Sequence, residues 1–302
     1  MQSLLDNGAE INAQGAEYGN ALQAAAYRGH VQAMRFLLDK GADGNAQGGK
    51  YGNALQAAAS NGNVQAMRLL LENGADVHAQ GGYFGNTLQA ASWNGNAEAI
   101  QLLLDRGADI HAQGGYCGNT LQAAAYSGQT QVIGLLLDQG ADVNTQGGEY
   151  GNALQAAAYS GEVEAMRFLL SKGADVNAQG GGYGNALQAA AYRGHVEAMR
   201  VLLDEGADIN SQGGTYGTAL QAALEPTPDQ YPKKDAFDVV QVLLDYGVDV
   251  TAYVHGSKYG DAISAVKEIW GHDKANLVMF MKLFKSTEEQ GRSGPGGNTL
   301  QV

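Results

Sequence analysis

Apolar residues in this chain fall into two kinds of short run that alternate, each closed by glycine. In residues 18–50, YGNALQAAAYRGHVQAMRFLLDKGADGNAQGGK, Asn20 precedes an alanine-rich run, and Val31, Met34, Leu37 and Leu38 follow at helical spacing. Asn is a strong helix N-cap, so the first run predicts a short helix over Ala21 to Tyr27, ending near Gly29. The second predicts a helix over Val31 to Lys40 with one apolar face, stopped at Gly41. The turn-type residues Ala42 to Lys50 must then return the chain, most simply as a hairpin-like finger.

This pattern recurs. The residue ahead of the Gly-Asn-(Ala/Thr)-Leu-Gln block falls at Tyr18, Tyr51, Phe84, Cys117, Tyr150, Tyr183 and Tyr216, in steps of 33, and a degenerate copy opens at Tyr259 after a step of 43. An internal period of this size means one supersecondary unit stacked many times. Neither helix reaches the roughly 12–15 residues at which an isolated helix becomes even marginal in water. Stability must come from burying the Leu22-type and Leu37/Leu38-type side chains between neighbouring units. The small alanines allow the close helix approach this requires. Terminal units have one such interface and interior units two, so the ends are expected to fray first.

The segments Leu37-Leu38-x-x-Gly41-Ala42-Asp43 and Leu70-Leu71-x-x-Gly74-Ala75-Asp76-Val77, with Gly29-His30 and Gly194-His195 between helices, resemble the ankyrin repeat. The resemblance covers nearly the whole chain and implies an all-α repeat solenoid of helix-turn-helix units with β-hairpin-like fingers, stacked into a curved array. One departure is consistent. Where that family opens its first helix with Thr-Pro-Leu-His, this chain has Asn20-Ala21-Leu22-Gln23 or Asn86-Thr87-Leu88-Gln89. Asn can still cap, and Gln can donate and accept hydrogen bonds across units as His does. The variant is similar to the ankyrin arrays of fungal NACHT-type STAND (NLR-like) receptors. The organisation expected is a partial repeat over 1–17, six regular repeats over 18–215, and a seventh over 216–258 interrupted by an insertion at 225–234. A diverged capping repeat over 259–290 and a flexible tail over 291–302 follow. Ile263, Val266, Ile269, Leu277, Phe280 and Leu283 supply the cap's apolar faces, and Leu4 and Leu5 lack a preceding layer.

Composition narrows the partners. Asp and Glu number 31 against 18 Lys and Arg, a net charge of −13. A surface of that sign repels phosphate backbones and anionic lipid, so neither nucleic acid nor membrane is expected as a partner. The opening Met-Gln-Ser-Leu-Leu-Asp has no charged or apolar region of a secretory signal, and no run approaches 18 apolar residues. The single Cys117 cannot form an intrachain disulfide, which fits a reducing, cytoplasmic setting. Gly numbers 44, yet the glycines sit at fixed offsets and punctuate folded units.

Because the Tyr18 and Tyr183 units agree at 27 of 33 positions, the positions that differ among units are informative. The end of the first helix reads Tyr27, Ser60, Trp93, Tyr126, Tyr159, Tyr192, and the next position Arg28, Asn61, Asn94, Ser127, Ser160, Arg193. The finger position ahead of each unit includes Lys50, Tyr83, Tyr116 and Glu149. The family resemblance implies that finger tips and the exposed side of the first helix form a concave recognition surface. Tyr, Trp, Ser, Asn and Arg are the residue types of protein-binding paratopes, rigid aromatics with adaptable polar groups. The competing reading is helix-end packing kept uniform by repeat duplication. Alanine at Trp93, Tyr126 and Tyr159 together separates the two: binding lost at a nearly unchanged Tm, or substantial unfolding. Tyr18, Tyr51, Tyr150, Tyr183 and Tyr216, at the finger-to-helix junction, read as structural, and Cys117 as a neutral replacement. The insertion EPTPDQYPKK carries Pro226, Pro228, Pro232 and Tyr231 and reads equally as a stiffened binding loop or a tolerated surface insertion.

Catalytic chemistry is not expected. The Gly-Gly-x-Tyr-Gly-Asn stretches never continue into a phosphate loop. Equivalent histidines such as His78 and His111 should lie about a packed-helix spacing of 8–10 Å apart, too far to share a zinc. Asp43, Asp76, Asp109, Asp142, Asp175 and Asp208 read as turn residues. Arg35–Asp39, Arg68–Glu72 and Arg200–Asp204 predict i,i+4 pairs on a solvated helix face. No cofactor or metal is implied. Two functions remain: a non-catalytic scaffold that binds a protein partner on the concave face, or the ligand-sensing array of a larger NLR-like receptor. In either case the chain is expected as a monomer or as part of a longer polypeptide.

Overall fold

The computed structural model describes residues 2–15, 17–225, 236–250 and 262–270, together with 278, 280–282 and 284. Two helices form in each unit. The first helices are Ala21–Tyr27, Ala54–Ser60, Thr87–Asn94, Thr120–Tyr126, Ala153–Ser160, Ala186–Arg193 and Ala219–Leu224. The second are Val31–Asp39, Val64–Glu72, Ala97–Asp105, Thr130–Asp138, Val163–Ser171, Val196–Asp204 and Ala236–Asp245. A half-unit helix, Gln2–Asp6, precedes them and Ala262–Trp270 follows. Among the described residues six fingers are minimal antiparallel hairpins. Gln80–Gly81 pairs with Gly85–Asn86, and single bridges such as Gly48 to Gly52 and Gly147 to Gly151 place the same turn in other units.

One side chain explains why Gly-Asn-x-Leu-Gln is repeated. Asn20 Oδ1 accepts the Gln23 N–H at 2.9 Å, and Gln23 Oε1 accepts the Asn20 N–H at 2.6 Å. The same reciprocal cap recurs from Asn53 and Gln56 through to Thr218 and Gln221. Capping uses the glutamine oxygen and leaves its amide protons free. Gln23 Nε2 donates to Gly48 O at 3.1 Å in its own finger and to Gly52 O at 2.9 Å in the next unit. Gln122 does the same to Gly147 O at 2.9 Å and Gly151 O at 2.6 Å. These glutamines are buried, where an unpaired amide would cost about 1–3 kcal/mol. Gly52, at φ +93°, makes room: a Cβ there would sit on Gln56 Oε1. Gly82 lets finger rest on finger, since its Cβ would meet the Tyr51 backbone.

The core follows the predicted faces. Leu22, Met34 and Leu37 are buried, Leu38 is half-buried, and the alanines of the first helices close the layers. The Asp residues behave as turn residues: Asp43 Oδ1 accepts the Asn45 N–H, and Asp175 Oδ1 the Asn177 N–H, both at 2.9 Å. The i,i+4 pairs are a correction. Among the described residues the ion pairs run between units, Arg68 to Glu98 at 3.1 Å and Arg167 to Glu197 at 3.8 Å. Stacking brings the neighbouring unit's acid closer than one helical turn along the same helix. At the C-terminal end Val266 and Phe280 are buried, and Phe237 stacks on Phe280 with centroids 4.2 Å apart. The side chains of Leu4, Ile269, Leu277 and Leu283, the insertion beyond Glu225 and the tail lie outside the described residues.

Candidate interaction surface

The end of each first helix meets the tip of each finger along one edge of the stack, and both carry aromatic rings. Tyr18 lies 5.2 Å from Tyr27 and 6.1 Å from Tyr51 between centroids, and Tyr27 stacks on Tyr51 at 4.8 Å. Contacts continue through Tyr51–Phe84 at 6.5 Å, Phe84–Trp93 at 5.6 Å, Trp93–Tyr126 at 4.8 Å and Tyr126–Tyr159 at 6.1 Å. They run on through Tyr159–Tyr192 at 6.4 Å to Tyr192–Tyr216 at 4.8 Å. The two rows kept apart in the sequence, Tyr18-type as structural and Tyr27-type as displayed, are therefore one ladder. Within it Tyr51, Phe84, Tyr150 and Tyr192 are buried, while Tyr18, Tyr27, Trp93, Tyr126, Tyr159, Tyr183 and Tyr216 are half-buried. Tyr192 at 5% exposure corrects the expectation that its whole row is displayed. Its ring is held between those of Tyr183, Tyr159 and Tyr216.

Two units lack a ring and are filled differently. Ser60 stands where its neighbours have Tyr or Trp, and its Oγ donates to Ala57 O at 2.9 Å. Beside it the Lys50 ammonium lies over Tyr51 at 5.8 Å and over Tyr83 at 5.7 Å. Cys117 leaves a hole at the junction position. Tyr116, one residue earlier, turns inward to meet Tyr126 at 6.1 Å and Tyr150 at 5.6 Å edge-on, while Tyr83 stacks on it at 4.9 Å. Lys50, Tyr83 and Tyr116 thus belong to the ladder, with Lys50 exposed and the two rings half-buried. Glu149 is exposed.

The polar positions divide. Asn61 Nδ2 donates back to Tyr27 O at 2.9 Å, and Asn94 Nδ2 to Ser60 O at 3.3 Å, each tying its unit to the preceding first helix. Ser127 Oγ donates to Ala123 O at 2.8 Å within its own helix. Arg28 is exposed and lies 5.9 Å over Tyr27; Arg193 is half-buried and lies 5.0 Å over Tyr159. Ser160 is half-buried. Tyr231 lies outside the described residues. Burial is the first cause that pushes the phenols of Tyr51, Tyr83, Tyr126, Tyr150, Tyr183 and Tyr192 above the usual range. The Cys117 thiol, at 2% exposure, is pushed up to about 12 by burial, the opposite of an activated thiol. No set of three or more His, Cys, Asp or Glu side chains converges on a common point among the described residues. No helix among them is long and apolar enough to cross a membrane.

The family model for ankyrin repeats (3 copies) matches residues 1–81, 87–180 and 181–253. The chain belongs to the ankyrin repeat family. The crystal structure of the human ASB11 ankyrin repeat domain is similar to this ankyrin array at a TM-score of 0.60 and 25% identity, over 76% of this chain and 99% of that one. No curated protein matches it. Ankyrin arrays are in general protein-interaction modules, and the edge that carries the ring ladder is the part of this one whose chemistry varies among copies.

Sequence reasoning missed two residues on this edge and misread a third. Tyr116, expected as a displayed finger-tip contact, also fills the Cys117 hole, and the one-unit absence of a ring at 117 was the available signal. Asn63 Nδ2 bonds Tyr27 O at 2.7 Å, and His195 Nε2 is 3.1 Å from Tyr159 O. Both reach back across a joint from a position that appears solvent-facing when a unit is considered alone.

Proposed function

We propose that this ankyrin array is a non-catalytic scaffold that binds a protein partner across the concave face formed by first-helix ends and finger tips. The observation that carries this reading is the ring ladder from Tyr18 to Tyr216, most of its rings only half-buried and dressed with Arg28, Lys50 and Arg193. Rigid, pre-stacked aromatics lose little entropy on docking, and cations above them add directional contacts. Because the rings also hold one another, truncating them confuses binding with folding. The test is therefore charge reversal at the rim. Arg28→Glu, Lys50→Glu and Arg193→Glu together should lose a partner captured by the wild-type array, with Tm lowered only by the loss of the cation–ring contacts, roughly 0.5–1 kcal/mol each. The control Arg35→Glu, Arg68→Glu and Arg200→Glu, on the second helices, should keep it. Retention by the first variant, or loss by the second, places recognition elsewhere. The same face would serve as the sensing surface of a larger NLR-like receptor, a reading that a NACHT-like phosphate loop in the upstream reading frame would favour.

A further inference from the structure

Seven near-copies allow each joint to be compared with the others, and one joint is bare. Four kinds of polar stitch recur between successive units besides the glutamine bond. An Asn at the finger root accepts from the next unit's turn, as Asn45 does from Asp76 N at 2.8 Å and Asn177 from Asp208 N at 2.8 Å. A side chain beside the inter-helix turn donates back, as Asn63 does to Tyr27 O. Finger-tip amides form a ladder, Tyr83 N to Lys50 O at 2.8 Å, Tyr116 N to Tyr83 O at 2.9 Å and Gly182 N to Glu149 O at 2.7 Å. Second helices pair by charge at two joints.

Between the Phe84 and Cys117 units all four are missing. His111 occupies the finger-root position and makes no bond to Asp142 N, among hydrogen bonds that do include the Asn at five other joints. Gln129, at the turn, lies against Gly95 across the joint but donates to Ser127 O of its own unit at 3.2 Å. The tip ladder skips from Tyr116 to Glu149. Gln101 and Gln131 stand where the paired joints have Arg and Glu, and Gln101 donates to Asp105 on its own helix. What remains is the finger-root bonding, Gln89 Nε2 to Gly118 O at 2.9 Å and Gly114 N to Gly118 O at 2.7 Å, with the apolar layer and the ring contacts Trp93–Tyr126 at 4.8 Å and Tyr116–Tyr126 at 6.1 Å. The adjacent joints are less bare. The Tyr51–Phe84 joint lacks only the finger-root stitch, at His78, and keeps Asn94, Asn96, the tip amide and the Arg68–Glu98 pair. The Cys117–Tyr150 joint keeps Asn144 and the Gly182 amide.

We propose that the joint between the Phe84 and Cys117 units is a built-in hinge, opening ahead of global unfolding so that residues 17–116 and 117–225 part as two folded halves. In a repeat array stability is the sum of unit and nearest-neighbour contributions, so the joint with fewest contributions opens first. Each stitch absent from the closed form shifts the opening equilibrium by roughly fivefold. Opening would break the ring ladder between Trp93 and Tyr126 and so divide the interaction surface in two. The hinge also carries its own reporter. Cys117 begins the second half, lies near Tyr83 of the first, and is inert while the joint is closed.

The test is alkylation of Cys117 by iodoacetamide at about pH 8 on the intact chain. Labelling should exceed the rate allowed by global unfolding by roughly tenfold or more, and should not respond to low guanidinium. The variant His111→Asn with Gln129→Asn, which restores two stitches, should slow it roughly 25-fold. His78→Asn, at the neighbouring joint, should change it by less than about twofold. Labelling that tracks global unfolding at every guanidinium concentration, or that slows equally in His78→Asn, overturns the proposal. Should the double variant fail to fold, hydrogen exchange on the unaltered chain decides. The Gly114 amide, bonded across this joint, should exchange roughly tenfold faster than the Gly180 amide bonded to Gly184 O. Equal protection overturns it.

Discussion

The finger root and the ring edge solve the same problem, joining one unit to the next, in opposite ways. At the root six successive copies use the same Gln, with the same Asn cap and the same two carbonyls, in buried positions. At the edge each copy makes its own contact: a Tyr–Tyr stack, a Lys over two rings, or a Tyr turned into the space left by a Cys. Hydrogen bonds to buried groups demand one geometry, whereas ring contacts tolerate many, so variation accumulates where geometry is permissive. The permissive edge is also where recognition can be adjusted without disturbing the cap.

That contrast can be tested from its strongest consequence to its weakest. Tyr150→Ala removes a fully buried ring and should cost about 3–5 kcal/mol in urea unfolding, while Tyr27→Ala at the half-buried edge should cost about half as much. Equal losses would make the edge framework throughout. Gln122→Ala leaves the Asn119 cap but removes the acceptor of the Asn119 N–H and the donor to two carbonyls, and should cost about 2–3 kcal/mol by the same measurement. A loss under about 1 kcal/mol would mean that water replaces the root bonds, erasing the difference between the regions.

Alkaline pH probes the hole at Cys117. Its thiol titrates near 12 when folded, above the unfolded value of about 8.5. The unfolded state releases its proton first, so the contribution is complete below pH 8.5 and is lost as pH rises toward 12. Unfolding curves at pH 9, 10 and 11 should show wild type losing about 1.4 kcal/mol per pH unit relative to Cys117→Ala. Parallel curves would mean that the Tyr116 ring does not seal the site. The smallest effect belongs to the outer face. Arg68→Ala should change stability by about 0.2–1 kcal/mol, since both partners in its pair are more than 40% exposed.

Much of the fold was legible because its signals are local. Asn20 as a cap, Gly41 as a stop and the Val31, Met34, Leu37 spacing each act within one unit, and the helices formed within a residue of those bounds. The edge was less legible because its contacts span about one period. In a single copy Asn61 looks like a solvent-facing residue at a helix end. Only stacking reveals that it bonds Tyr27 O, and that Arg68 has a closer acid in the next unit than on its own helix. Tyr116 was harder still, since its position depends on a ring missing from the neighbouring residue.

The Gln-to-Gly bond at the finger root has a consequence for how such a chain can change length. Six successive copies present the same donor forward to the same acceptor in the next, so the root of any of them fits that of any other. Recombination that duplicates or deletes a whole period leaves each surviving root fully bonded. Selection can therefore lengthen or shorten the aromatic edge by whole units, extending its reach before altering its chemistry.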